Sequence, residues 1–133
     1  MGLIKHWFGA MAAIVMATQT NAQGDANSGQ VFYPSCVAAA DIVQGKHPAA
    51  DSPDAAKQLN QAALCFAALT AIMNVEQYFK SEHAMCAPEG TKVAQLVPVV
   101  AAYLKNHPER RQENFHQLAV AALAAEWPCA KMK

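Results

Sequence analysis

Four cysteines are the residues of this chain with the most readily interpreted chemistry: Cys36, Cys65, Cys86 and Cys129. An even number of cysteines in a short chain from an oxidising compartment predicts two disulfides. A zinc site is the alternative, but no pair has Cys-x-x-Cys spacing and no histidine stands at zinc-finger distance. A catalytic thiolate would need a free thiol, which two bridges would not leave. We therefore expect a chain without a metal, a cofactor or catalytic activity.

A second group of polar side chains lies in the segment 80–90. Lys80, Glu82, His83 and Glu89 are candidate partner-binding residues, because they lie on a loop that Cys86 can brace. The alternative is a solvated connection with ordinary polar residues, which is what most loops are.

Residues 1–22 have the order of a secretory signal peptide. Lys5 precedes the apolar run Trp7–Ala17, and small polar residues then lead to Ala22. The run has eleven residues, fewer than the roughly 20 that a membrane-spanning helix needs, which makes a membrane anchor the weaker alternative. We expect cleavage after Ala22, with Ala17 as a second position, and an exported chain of residues 23–133 without membrane attachment.

The charge balance of that chain argues against electrostatic partners. Of the ten Lys and Arg residues only Lys5 lies in the leader, so nine basic residues remain beside ten acidic ones. A nearly neutral chain has no general attraction for nucleic acid or for an anionic membrane. Its length predicts one domain with a modest core, for which disulfides would be a useful brace.

Glycine and proline separate the apolar segments, which predicts an all-α bundle of about four helices and no strands. The first helix should span 28–44 and end at Gly45, with Pro34 either starting or kinking it. The second should start at Ser52 and Pro53 and run to about Phe79. Its predicted core residues are Leu59, Ala63, Phe66, Thr70 and Met73.

The middle of the second helix, 62–73, carries no charged residue. This pattern predicts burial on more than one side or contact with another subunit, and we expect a homodimer.

The last two helices should form an antiparallel pair. One is expected from a Thr91 cap to Asn106, bent at Pro98, and the other from Pro108 to Glu126. A short turn joins them. The residues predicted to be buried in the fourth helix are Phe115, Leu118, Ala122 and Ala125.

This helix order suggests which cysteines pair, although four cysteines allow three connectivities. Cys86 precedes the third helix and Cys129 follows the fourth, so an antiparallel pair brings them together. Cys36 and Cys65 then join the first two helices.

Three other features near the end of the chain have two interpretations each. His107 is expected to cap or pack rather than to bind a ligand, and Trp127 to cover the nearby disulfide rather than to anchor a partner. The run 109–113 is expected to be the solvated face of a helix, with Glu109 and Glu113 flanking two arginines.

Several short motifs of this chain resemble the signature of the Rap/Tai immunity proteins. Their residues are Cys86-Ala87-Pro88, Gln95-Leu96-Val97, Tyr103-Leu104-Lys105-Asn106-His107-Pro108-Glu109, Ala121-Ala122-Leu123 and Trp127-Pro128-Cys129, with Asn27-Ser28-Gly29 at the first helix. The resemblance implies a periplasmic protein, often dimeric, that plugs the cleft of a peptidoglycan-cutting amidase delivered by a type VI secretion system.

Two other functions remain open on the sequence. One is a periplasmic chaperone of the acid-stress type, which would expose apolar surface as its carboxylates become protonated. The other is an orphan envelope domain that uses the same scaffold to bind a different protein.

Overall fold

The computed structural model describes residues 25–76 and 85–130, and most of them are helical. The helices are α1 (Gly29–Val43), α2 (Pro53–Glu76), α3 (Val93–Asn106) and α4 (Phe115–Glu126), with a short 3-10 helix at Pro108–Arg110. Within these two ranges there is no strand, only an isolated antiparallel bridge between Ser28 and Asn114. The prediction of an all-α bundle is confirmed. The expected leader, residues 1–22, lies outside the described residues.

α1 and α2 are joined by the first disulfide. Cys36 and Cys65 have Cα atoms 5.0 Å apart, and neither residue is exposed to solvent. α1 begins at Gly29 and continues past Pro34, so the proline lies inside the helix rather than at its start. Ser52 accepts a hydrogen bond from the Ala55 N–H, which confirms it as the cap of α2.

The predicted core face of α2 is right in part, because Phe66 and Met73 are half-buried against the core. The fully buried stripe is displaced from the prediction by about one residue position, roughly 100° around the helix. Leu59 is 59% exposed, and Ala63 and Thr70 are also on the outside. The periodicity of α2 does not determine its orientation, because its middle is apolar on every side. The bridge to α1 determines it instead. The residues that α2 buries are Ala55, Ala62, Cys65, Leu69 and Ile72.

α3 and α4 supply the other half of the core and are tied at one end by the second disulfide. The Cα atoms of Cys86 and Cys129 are 4.9 Å apart, so the start of α3 lies beside the end of α4, as the antiparallel arrangement predicts. The fully or nearly fully buried side chains of the two helices are Leu96, Val97, Val100, Leu104, Leu118, Ala119, Ala122 and Leu123.

Three details of α3 and α4 differ from the sequence-based expectation. Lys92 rather than Thr91 is the N-cap of α3, since Thr91 instead donates its hydroxyl to the Pro88 carbonyl. α4 begins at Phe115 rather than at Pro108, with Asn114 accepting a bond from the His116 N–H. Pro108 starts only a single 3-10 turn, and Ala125 is exposed because it lies on the outer face of α4.

The start of α1 is held by the connection between α3 and α4. The Gly29 N–H donates to the Glu113 carbonyl at 3.0 Å, and the Gln30 N–H donates to the Arg111 carbonyl at 2.6 Å. In return the Phe115 N–H donates to the Asn27 carbonyl at 2.7 Å. The N-terminal N–H groups of α1, which have no partner inside the helix, are thereby satisfied. We call these paired segments, residues 27–30 and 111–115, the clasp.

α2 is the one described helix that is long and apolar enough to cross a membrane, by length and composition alone. Only 22% of its most apolar window is buried in the bundle. Length and composition do not distinguish a membrane span from a helix with a protein partner. In either case, α2 has an apolar surface that the bundle does not cover.

Candidate partner-binding surfaces

The described part of the predicted contact loop is a turn braced on both sides. Before it, Cys86 is bonded to Cys129, and its N–H donates to the Trp127 carbonyl at 3.0 Å. After it, the side-chain oxygen of Gln95 accepts from the Lys92 N–H at 2.7 Å. The turn is therefore fixed between the end of α4 and the first turn of α3.

Glu89 lies at the tip of this turn and is exposed. The following residue, Gly90, has φ +80°, a left-handed conformation that favours glycine. The Thr91 N–H donates to the Pro88 carbonyl at 3.1 Å and closes the turn. Glu89 is thus a carboxylate held on a defined backbone. The other three predicted contact residues, Lys80, Glu82 and His83, lie outside the described residues.

The second surface is the outer side of α2. We call it the α2 face and define it by five exposed apolar residues, which are Ala63, Leu64, Ala67, Ala71 and Val75. No charged residue occurs in α2 between Lys57 and Glu76. Leu64 is 43% and Val75 45% exposed, so the surface is apolar and accessible over about three turns. Contiguous apolar surface of this kind is typical of a contact with another protein.

The third surface lies around the 3-10 turn and is polar and internally paired. Arg110 forms a two-pronged ion pair with Glu113, with Nε–Oε1 and Nη2–Oε2 distances of 2.8 and 2.7 Å. Arg110 also donates from Nη1 to the Tyr103 hydroxyl. His107 packs against the Tyr103 ring, with centroids 4.3 Å apart, and lies 3.3 Å from a Glu109 carboxylate oxygen.

These contacts determine the charge state of the two carboxylates. The hydrogen bonds from Arg110 lower the pKa of Glu113, in spite of a smaller opposing effect of desolvation. A hydrogen bond from its own backbone N–H lowers the pKa of Glu109, with a further contribution from His107. Glu113 correspondingly raises the pKa of Arg110. Both carboxylates therefore stay ionised to a lower pH than an unperturbed glutamate would.

The run 109–113 is not a helix face, because the chain turns there, but Glu113 does pair with Arg110 as expected. The sequence-based expectation did not include the contacts that Arg111 makes inside the bundle. Its guanidinium lies 3.6 Å from the ring centroid of Tyr33 on α1, and its Nε donates to the Leu104 carbonyl at 2.7 Å. A signal for the break was available, since Asn114 followed by Gln117 has the residue types of an N-cap and its third helical position.

His107 and Trp127 both pack against other parts of the described bundle. His107 ends α3 and packs on Tyr103, so it has the packing role that was expected. Trp127 is half-buried against the core, and its carbonyl accepts the bond from Cys86.

No group of three or more His, Cys, Asp or Glu side chains that could hold a metal is found within residues 25–76 and 85–130. All four cysteines are in disulfides. The described surfaces offer shape, apolar area and fixed charge, which are the means of binding a protein.

The family model of the Rap1a immunity proteins matches residues 28–129, which include both disulfides and the four described α-helices. The chain belongs to the Rap1a immunity protein family. No match was found among curated proteins or among solved structures. The resemblance seen in the sequence is confirmed, and membership in Rap1a implies that the chain binds a secreted effector protein.

The match begins at Ser28 and ends at Cys129. These two positions lie at the ends of the bundle, because Ser28 is part of the clasp and Cys129 is part of the second disulfide. The Rap1a unit therefore coincides with the part of the chain that is closed by the clasp and the two disulfides.

Proposed function

We propose that this chain is a periplasmic immunity protein that binds and inhibits a type VI-secreted peptidoglycan amidase. The observation that carries the proposal is the Rap1a match over the whole disulfide-braced bundle. An inhibitor needs a rigid surface rather than reactive groups, since preorganised binding surfaces lose little conformational entropy on association.

The periplasmic part of the proposal has two supports. Both disulfides require an oxidising compartment, and residues 1–22 have the pattern of a cleavable leader. An amidase that cuts peptidoglycan acts in the same compartment, so an inhibitor has to be exported to meet it.

A toxicity assay tests the function directly. The papain-like amidase encoded nearest to this chain is exported to the periplasm of a sensitive bacterium, together with residues 1–133 or with residues 23–133. We expect protection from lysis only by the full chain, although both should inhibit peptidoglycan hydrolysis when purified in the oxidised form. Lysis with the full chain, and no inhibition in the purified assay, would contradict the proposal.

We place the inhibitory contact on Lys80, Glu82, His83 and Glu89. Glu89 supports this placement, because it is exposed on a turn that the second disulfide and the cap of α3 hold in place. Reversal of its charge, E89K, should weaken the amidase complex about tenfold or more, the scale of a charge contact near an interface. The control is E109K, the same change at the other end of α3, which should leave the affinity within about twofold.

We also propose that the chain is a homodimer that buries the α2 face. The face is apolar, uncharged and exposed, and two copies can pair it about a twofold axis without facing like charges. Sedimentation velocity of residues 23–133 should show a dimer at micromolar concentration. A67E, which places a carboxylate at the centre of the face, should give a monomer. A102E, the same change at an exposed position of α3, should remain dimeric.

The α2 face is also the observation that would support the acid-stress chaperone instead. An assay of the aggregation of a client protein at pH 2–3 separates the two functions. We expect no suppression of aggregation by this chain, because the proposed dimer buries the apolar surface that a client protein would need.

A further inference from the structure

The two disulfides differ in their access to solvent. Cys36 and Cys65 are both 0% exposed and lie within the hydrophobic core cluster. Cys86 is exposed and Cys129 is half-buried. A thiolate reductant must reach a sulfur atom along the axis of the bridge, so the rate of exchange depends on this access.

The two disulfides also differ in the non-covalent contacts around them. Around Cys36 and Cys65, α1 and α2 pack through fully buried side chains that include Ala39 and Leu69. Near Cys86 the described contacts include the backbone bond to Trp127 and the partial burial of Met85, and both residues lie at the edge of the core rather than inside it. Opening of the second bridge therefore does not break into the fully buried contacts between α1 and α2.

The opposite end of the α3–α4 pair does not depend on the second bridge. There, Arg111 bonds the end of α3, and the clasp joins residues 111–115 to the start of α1. The apolar side chains between α3 and α4 are buried along the length of both helices. The bundle thus has contacts that can keep it folded when Cys86 and Cys129 are reduced.

From these differences we propose that Cys86–Cys129 is a separately reducible bridge whose state controls how firmly residues 85–92 are held, while Cys36–Cys65 is a permanent brace. The reductant is a dithiol, either a small molecule or a dithiol protein. This inference goes beyond the immunity function and does not need an effector to be tested.

The exchange balances as an ordinary two-electron step. One thiolate of the dithiol attacks the sulfur of Cys86, the more exposed residue, and Cys129 leaves as a thiolate that takes up a proton. The second thiol of the reductant then attacks the mixed disulfide. The chain gains two thiols, and the dithiol becomes a disulfide.

Reduction of the second bridge also affects the turn that carries Glu89. Only this consequence of reduction rests on the proposed function. Glu89 lies between Cys86 and α3, so reduction removes the covalent anchor on one side of it. The reduced chain should then bind the amidase more weakly than the oxidised chain.

The test uses residues 23–133 in the oxidised form and a dithiothreitol series at constant pH. Thiols are alkylated at each time point and assigned by mass spectrometry, while far-UV circular dichroism follows the helices. We expect Cys86 and Cys129 to be labelled at least about tenfold faster than the core pair, with the helical signal unchanged. Hydrogen exchange should increase in residues 85–92 and 127–130 while residues 33–40 and 62–72 stay protected.

Simultaneous labelling of all four cysteines, earlier labelling of the core pair, or loss of helix with the first two thiols would overturn the proposal. The double variant C86S/C129S provides a second measurement that does not depend on exchange rates. It should fold with the helical signal of the wild type and keep Cys36–Cys65 oxidised. An unfolded double variant would contradict the independence of the two bridges.

Discussion

Arg111 stacks on Tyr33 across the boundary between the α3–α4 connection and α1, with its guanidinium carbon 3.6 Å from the ring centroid. The same residue caps two helices. Its side chain donates to the Leu104 carbonyl at the end of α3, and its carbonyl accepts from the Gln30 N–H at the start of α1. One residue of an irregular turn thus fixes the relative positions of two helices that are far apart in sequence.

Replacement of Arg111 by alanine should destabilise the fold by about 1.5–3 kcal/mol. The change removes a charge-assisted bond to Leu104 and a cation–π contact with Tyr33, whose effects are not additive. R111K keeps the charge but not the planar fork, and it should be intermediate. Q112A, at an exposed neighbouring position, is the control. Urea unfolding of the oxidised chain measures all three, and an R111A midpoint equal to that of Q112A would show that the clasp needs no guanidinium.

Replacement of Gly29 by alanine should also destabilise the clasp, by about 1–3 kcal/mol, through overpacking. A Cβ atom at this position would lie 2.5 Å from Leu118 Cδ1 and 3.1 Å from Leu104 Cδ2, and both leucines are buried. Q30A is the matched control, because its side chain is exposed and its backbone bond to Arg111 remains. Thermal unfolding should give a lower midpoint for G29A and an unchanged one for Q30A. If Leu118 can rotate away at no cost, the two midpoints will agree.

Several elements could be predicted from residue types and from their order along the chain. Ser52 and Pro53 mark the start of α2, and the positions of Cys86 and Cys129 around two helices predict their bridge. The orientation of α2 could not be predicted this way, because a helix that is apolar on all sides in its middle has no single periodic stripe. The position of Cys65 indicates the orientation instead. A disulfide from Cys65 to α1 requires that the side of α2 with Cys65 faces the core.

The orientation of α2 can be tested with two leucines. Leu69 is 0% exposed and Leu59 is 59% exposed, although the periodicity had placed Leu59 in the core. L69A should cost about 2–5 kcal/mol of unfolding free energy, the range for a buried leucine whose removal leaves a cavity. L59A should change it by less than about 0.5 kcal/mol, the range for surface substitutions. Urea unfolding at one protein concentration measures both, and a larger effect of L59A would mean that the helix is turned the other way.

The candidate contact surfaces were predictable to different degrees. The exposed turn with Glu89 follows from Pro88 and Gly90, which are turn residues. The clasp could not be predicted from a sequence motif. Its hydrogen bonds join backbone groups, which every residue type has. Only Gly29 and Asn114 report it, one through the close approach of two leucines and the other through its side-chain cap.

The ion pair of Arg110 and Glu113 should respond to acid pH. Hydrogen bonds from Arg110 lower the pKa of Glu113 below its ordinary value of 4.5 in the folded state. A carboxyl group with a lowered pKa stabilises the fold above pH 4.5, and this contribution is lost as the pH falls through the folded-state pKa. In R110Q the pKa of Glu113 should rise towards 4.5, whereas that of Glu109 should stay low, because its own backbone N–H rather than Arg110 is the main cause. Carbon-detected NMR titration of the two side-chain carboxyls measures both values in one sample. An equal rise in the pKa of both carboxyls, or an unchanged pKa of Glu113, would mean that the Arg110 guanidinium is not the specific cause of the low pKa of Glu113.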